Sequence, residues 1–190
     1  MDSFVADERL ASHQGKFLHV YARNCRVCRI SKAQAGEFIS KYHGLGSTSC
    51  RYAYGLFVSR EGGGNFRKEP LPEGTLVAVS TFSGARNLPV ETSSGERFIK
   101  SYEWVRYVSL PDVRVIGGMG KCLTEFISEV HPDDVMSYAM VEPWKEEALR
   151  EHADGVKPVG DAYLKLGFVR EGVKSFGEGE SIKFRLRLTY

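Results

Sequence analysis

A chain of 190 residues, 42% apolar and 26% charged, is long enough for one α/β domain with a sizeable core and is ordinary for a globular protein. Its net charge of +2 argues against a dedicated nucleic-acid surface and leaves room only for a local basic patch. No apolar run approaches the ~20 residues that span a bilayer, and the acidic start Met1-Asp2-Ser3-Phe4-Val5-Ala6-Asp7-Glu8 lacks the basic opening of a signal peptide; a cytoplasmic protein with no membrane partner is the expectation.

Residues 1–15 show no clear periodicity and read as an N-terminal arm. Residues 16–30 are rich in β-formers (Phe17, Leu18, Val20, Tyr21, Val27, Ile30) broken near Asn24, which suggests one bent strand or a pair. Of the four cysteines, Cys25 and Cys28 form a C-x-x-C, half of a zinc site or a redox pair. No second C-x-x-C or H-x-x-x-H accompanies it, and its flanks Arg26, Val27, Arg29 and Ile30 suit a strand. Structural cysteines and no metal are expected. Ser31-Lys32-Ala33-Gln34 matches a capping box, and Ala35, Phe38, Ile39 and Tyr42 follow at i, i+3, i+4 and i+7, the single apolar stripe of a helix. His43-Gly44-Leu45-Gly46 ends it.

Residues 51–59 predict a strand, 60–74 a glycine- and proline-rich loop, and 75–82 a second strand that closes a long hairpin. Residues 83–96 read as another polar loop, and 97–110 as a long strand carrying Phe98, Ile99, Tyr102, Trp104, Val105, Tyr107 and Val108. A glycine-rich turn, Gly117-Gly118-Met119-Gly120, then leads into a helix whose Leu123, Phe126, Ile127 and Val130 repeat the helical stripe until His131-Pro132. Residues 133–141 predict a strand, 143–154 a short charged helix, and 161–166 a short helix ended by Gly167. The tail runs through 168–173. It finishes on 181–190, where Ile182, Phe184, Leu186 and Leu188 alternate with Lys183, Arg185 and Arg187. That basic face is either solvated or a place for phosphate. No repeat or linker divides the chain, so one domain spanning 1–190 is expected, with 142–160 as an insertion.

A strand feeding a glycine turn at a helix N-terminus is a ready anion site: backbone N–H groups converge, the helix dipole favours negative charge, and missing Cβ atoms let a phosphate approach. The spacing fits neither a Walker A loop nor a dinucleotide-binding G-x-G-x-x-G with its distant acidic residue. Downstream, Ala162-Tyr163-Leu164-Lys165-Leu166-Gly167-Phe168 describes a short helix, a glycine cap and a return into a strand.

In this order, with one strand between them, the two segments resemble the GNAT superfamily of acyltransferases over residues 17–175. The family's Q/R-x-x-G-x-G/A motif fits in two registers. Arg114-Val115-Ile116-Gly117-Gly118-Met119 supplies the basic residue; Val115-Ile116-Gly117-Gly118-Met119-Gly120 supplies both glycines and puts Leu123 at the family's helix leucine, so the second is preferred. The resemblance implies a mixed, mostly antiparallel central sheet of about six to seven strands flanked by helices. It implies an acyl-CoA donor, acetyl-CoA first, and transfer to an amine on a small molecule or a protein. The backbone of Val108, Ser109 and Leu110 would pair with the pantetheine. Val115, Gly117, Gly118, Met119, Gly120 and Lys121 would hold the diphosphate. Tyr163, four residues before Gly167, matches the tyrosine that in many relatives protonates the leaving thiolate. For the general base, Glu103 on the long strand and His43 at a helix end are the candidates, and Arg86 is the candidate contact for an anionic acceptor. Each of the three also reads as a surface or capping residue.

A closer echo within the superfamily is the phage Mom-type DNA-modification group. It is carried by Tyr102-Glu103-Trp104-Val105-Arg106-Tyr107, the glycine turn with Lys121, Ser137-Tyr138-Ala139, 163–168, His43 with its glycine, and Phe82-Ser83-Gly84-Ala85-Arg86. Met140 stands where that group carries Asp. A nucleic-acid base modifier and a non-catalytic binding protein are therefore the alternatives to the N-acyltransferase.

Overall fold

The computed structural model describes residues 18–59, 64–65, 71–93, 95–141, 159–176 and 179–190. The expected arm (1–15), the charged helix (143–154) and most of the loop 60–74 and insertion 142–160 lie outside them. The architecture is mixed α+β, with a mostly antiparallel sheet of eight strands and flanking helices. The chain packs as two compact units, 1–84 with 105–131 and 85–104 with 132–190. Among the described residues no helix is long and apolar enough to cross a membrane.

In the first unit, β2 (Cys25–Arg29) pairs antiparallel with β3 (Tyr52–Val58), and β3 with β5 (Leu76–Phe82). A small separate sheet sets β1 (Leu18–Tyr21) between β4 (Gly64–Asn65) and β8 (Val113–Ile116), with β1 and β8 parallel. A short 3-10 turn over Ala22–Asn24 joins β1 to β2, so the expected pair of strands is what forms. Helix α1 (Lys32–Tyr42) begins with the Ser31 half of the expected capping box, Gln34 N–H donating to Ser31 Oγ at 3.1 Å. Its Ala35, Phe38 and Ile39 are buried with Ala53, Val79 and Val108. Cys25 and Cys28 sit three apart on β2, and strand alternation sends their side chains to opposite faces. Cys25 joins the core with Cys122, and among the described residues no cluster of three metal-ligating side chains forms.

Helix α2 (Gly118–Val130) buries Cys122, Leu123 and Phe126. Phe126 stacks on Phe82 with ring centroids 3.9 Å apart and meets Tyr52 and Tyr54 edge-on. At the far end of α2, Glu129 accepts from the Tyr54 hydroxyl (2.8 Å) and from Arg29 (3.1 Å), whose guanidinium also lies over both tyrosine rings.

In the second unit, β6 (Arg86–Thr92) and the start of β7 (Gly95–Ser109) form an antiparallel hairpin. This corrects the reading of 83–96 as a loop. Pro89 is tolerated because β6 pairs with β7 alone among the described strands. β7 then runs parallel to β9 (Asp134–Val141) through three register pairs, from Ser101–Asp134 to Glu103–Met136. β9 pairs with β11 (Gly179–Arg187), and β11 with β10 (Val169–Phe176), both antiparallel. One side of β11 places Ile182 and Phe184 in the core; the other carries the basic residues. Asp134, fully buried, is held by Arg185 and by the Tyr190 hydroxyl at 2.6 Å. Glu171 gathers Lys183 (2.6 Å) and Arg185 Nε (2.7 Å). Burial pushes the Glu171 carboxyl up, but those two donors outweigh it and hold it below its usual value. The basic face of β11 is thus an internal ion network at Lys183 and Arg185. Helix α3 (Asp161–Lys165) follows Gly160, which is left-handed and lies against the Phe184 ring.

Candidate functional site

The glycine turn is built by close approach. Gly117, at φ 79°, takes the left-handed backbone that glycine adopts without strain, and it caps α2. Gly118 is buried, and a Cβ there would lie 2.2 Å from Tyr107 Oη and 2.8 Å from Val115 Cγ1. Lys121 N–H opens the helical ladder by donating to Gly117 O at 3.0 Å. The N–H groups of Gly118, Met119 and Gly120 precede that bond and have no helical acceptor. They stand at the positive end of the α2 dipole, as an anion cradle requires.

The neighbouring donor-side residues take other work. Val115 is part of the β8–β1 ladder, paired with Val20. Lys121 Nζ donates to the carbonyls of Ala22 (2.8 Å) and Cys25, which ties α2 to the β1–β2 junction. Two of its three donors therefore go to protein oxygens. Val108 is buried in the core of the first unit, and Ser109 is half-buried. Leu110 N–H donates to Val77 O at 3.0 Å and Leu110 O accepts from Val113 N–H at 3.1 Å, so both Leu110 backbone groups are used by the fold.

His43 caps α1 through its own N–H on Ile39 O (2.8 Å), and Leu45 N–H donates to its Nδ1 at 3.2 Å. In the neutral ring the proton then sits on Nε2, and the nitrogen that would accept a proton is occupied.

Within the second unit, two residues expected to play separate parts meet. Arg86 Nη2 donates to Glu103 Oε2 at 2.8 Å across the β6–β7 hairpin, with Glu103 the more sheltered partner. The pair engages one guanidinium N–H and one carboxylate oxygen, so an amine at Glu103 or an anion at Arg86 would meet a group already partly engaged.

Tyr163 lies on α3 with its ring edge-on to Trp104 (5.8 Å) and Phe168 (5.5 Å) and stacked near Phe184 (5.3 Å). Its hydroxyl is 2.9 Å from Ser137 Oγ, which is itself 2.9 Å from Trp104 O. A carbonyl only accepts. Ser137 therefore donates to Trp104 O, and the Tyr163 hydroxyl donates to Ser137 Oγ. Ser137 is 1% exposed; the sequence reading named it only within Ser137-Tyr138-Ala139 and gave it no role. The signal was present: alternation along β9 sets Ser137 inward with Val135, and a hydroxyl at an inward position needs a partner.

No family model matches the chain, and no curated protein matches it. Solved structures do match, at low identity. A ribosomal-protein-S5-alanine acetyltransferase from Vibrio fischeri aligns with a TM-score of 0.49 at 11% identity, over 86% of this chain and 93% of that one. A putative acetyltransferase of the GNAT family from Desulfovibrio desulfuricans gives 0.46 at 12%, over 86% and 98%. A structure from Corynebacterium glutamicum described as histone acetyltransferase HPA2 and related acetyltransferase gives 0.41 at 12%, over 70% of this chain and 62% of that one.

Proposed function

We propose that the chain is an acyl-CoA-dependent N-acyltransferase, with acetyl-CoA as donor and an amine as acceptor. The observation that carries this reading is the start of α2. Gly117 and Gly118 are required there by backbone angle and by space, and the three amides that follow Gly117 have no acceptor within the helix and suit an anion. The diphosphate of the donor is such an anion. Lys121 Nζ gives two of its three donors to the Ala22 and Cys25 carbonyls, so in this reading main-chain donors and the helix dipole form most of the cradle.

In the proposed reaction the acceptor nitrogen forms a bond to the thioester carbonyl carbon, and the carbon–sulfur bond breaks. The departing sulfur takes the Tyr163 hydroxyl proton, and the nitrogen gives up its own proton to a base. Glu103 fits the base better than His43, because parting an ion pair frees a carboxylate whereas His43 Nδ1 is held by the turn it caps. Orientation of the two reactants supplies much of the acceleration.

The test is thermal denaturation with acetyl-CoA. A donor at a hundred times its dissociation constant adds about 2.7 kcal/mol of stability. The expected result is a rise in melting temperature that saturates with acetyl-CoA. An unchanged melting temperature at millimolar acetyl-CoA and at millimolar CoA removes the reading.

A further inference from the structure

A second site, unrelated to the donor cradle, opens in the first unit between α1 and the segment that follows it. It is a cleft of about 170 Å³ whose lining includes Lys32, Gly36 and Ile39 of α1 and Ser47, Ser49 and Cys50 beyond it. Its floor is mostly apolar: the buried Ala35 and Ile39 line it together with the buried Thr81. Its rim is one ammonium and a run of three hydroxyls, Ser47, Thr48 and Ser49. Among the described residues no carboxylate pairs with Lys32, and the first turn of α1 contains no acidic residue. The Cys50 thiol reports the field: burial raises its pKa, and Lys32 and Arg29 pull the other way.

Gly36 is the second independent feature. It sits inside α1, where glycine is among the poorest residues for a helix. Packing does not require it. A Cβ at 36 would touch nothing nearer than Ser47 Oγ at 3.5 Å, an ordinary contact, and the backbone there has no left-handed angle. What the missing methyl does provide is room in the cleft.

We propose that this cleft binds a small carboxylate with a short apolar body, the carboxylate on Lys32 and the hydroxyls and the body over Ala35, Gly36 and Ile39. A cavity of this size holds a molecule of roughly benzene dimensions, so butyrate is a suitable probe, and its affinity is of order a millimolar. The experiment follows amide and methyl NMR shifts of the full chain during titration with butyrate and, separately, with inorganic phosphate. Butyrate should shift residues 32–39 and 47–50 in a saturable way. Lys32→Gln should weaken it about tenfold or more. Gly36→Ala should weaken it similarly while the melting temperature holds or rises, which separates loss of the cleft from loss of the fold. No saturable shift with butyrate overturns the proposal. So does phosphate binding as tightly as butyrate with no response to Gly36→Ala, because only a surface charge would then be read.

Discussion

Tyr163→Phe should lower turnover by about 10²–10⁴-fold, the usual worth of a positioned proton donor, and leave donor binding nearly unchanged. The substitution removes one oxygen and keeps the ring. Its contacts with Trp104, Phe168 and Phe184 survive, and so does the Ser137 bond to Trp104 O. The lost hydrogen bond costs about 1 kcal/mol of stability, too little to unfold the second unit. Steady-state kinetics with acetyl-CoA and a panel of amines, read beside a denaturation curve, separate the effects. Equal turnover would take Tyr163 out of the chemistry. Ser137 sharpens the argument, because the phenolic proton is parked on its Oγ and must turn away from it to reach sulfur.

Phe126→Ala should cost about 3–5 kcal/mol, as large-to-small changes of a buried aromatic do. Phe126 is fully buried, stacked on Phe82 and flanked by Tyr52 and Tyr54. No smaller side chain fills that aromatic box, and α2 is the element it docks. For a domain of ordinary stability, about 5–15 kcal/mol, the loss is roughly a fifth or more of the total. Urea denaturation measures it directly. A loss under about 1 kcal/mol would mean that α2 is held elsewhere, and the Glu129 clamp by Arg29 and Tyr54 would be the place to look.

Much of this was legible from local pattern. Ser31 and Gln34 announce the start of α1, the stripe from Leu123 to Phe126 announces α2, and alternation announces β11. The glycine turn was readable because Gly117 and Gly118 answer to strictly local demands of angle and space. What escaped depends on partners distant in the chain. β6 has few apolar residues and a proline, and it forms a strand only because β7 offers it a ladder. β1 and β8 make a parallel pair from segments 95 positions apart, Leu18 with Val113. Lys121 beside three glycines reads as an anion ligand from sequence, and its two carbonyl partners on Ala22 and Cys25 could not be read there. Arg86 and Glu103 each looked like a functional group alone, and the hairpin that unites them was missed.

The central claim is that the main-chain amides at the start of α2 receive the donor's diphosphate. The most direct test is an amide-resolved NMR titration of the whole chain with CoA. Saturable shifts should be largest at Gly118, Met119 and Gly120, with Lys121 Nζ still on its carbonyls. Saturation with those three amides unmoved, or no saturation, would contradict it.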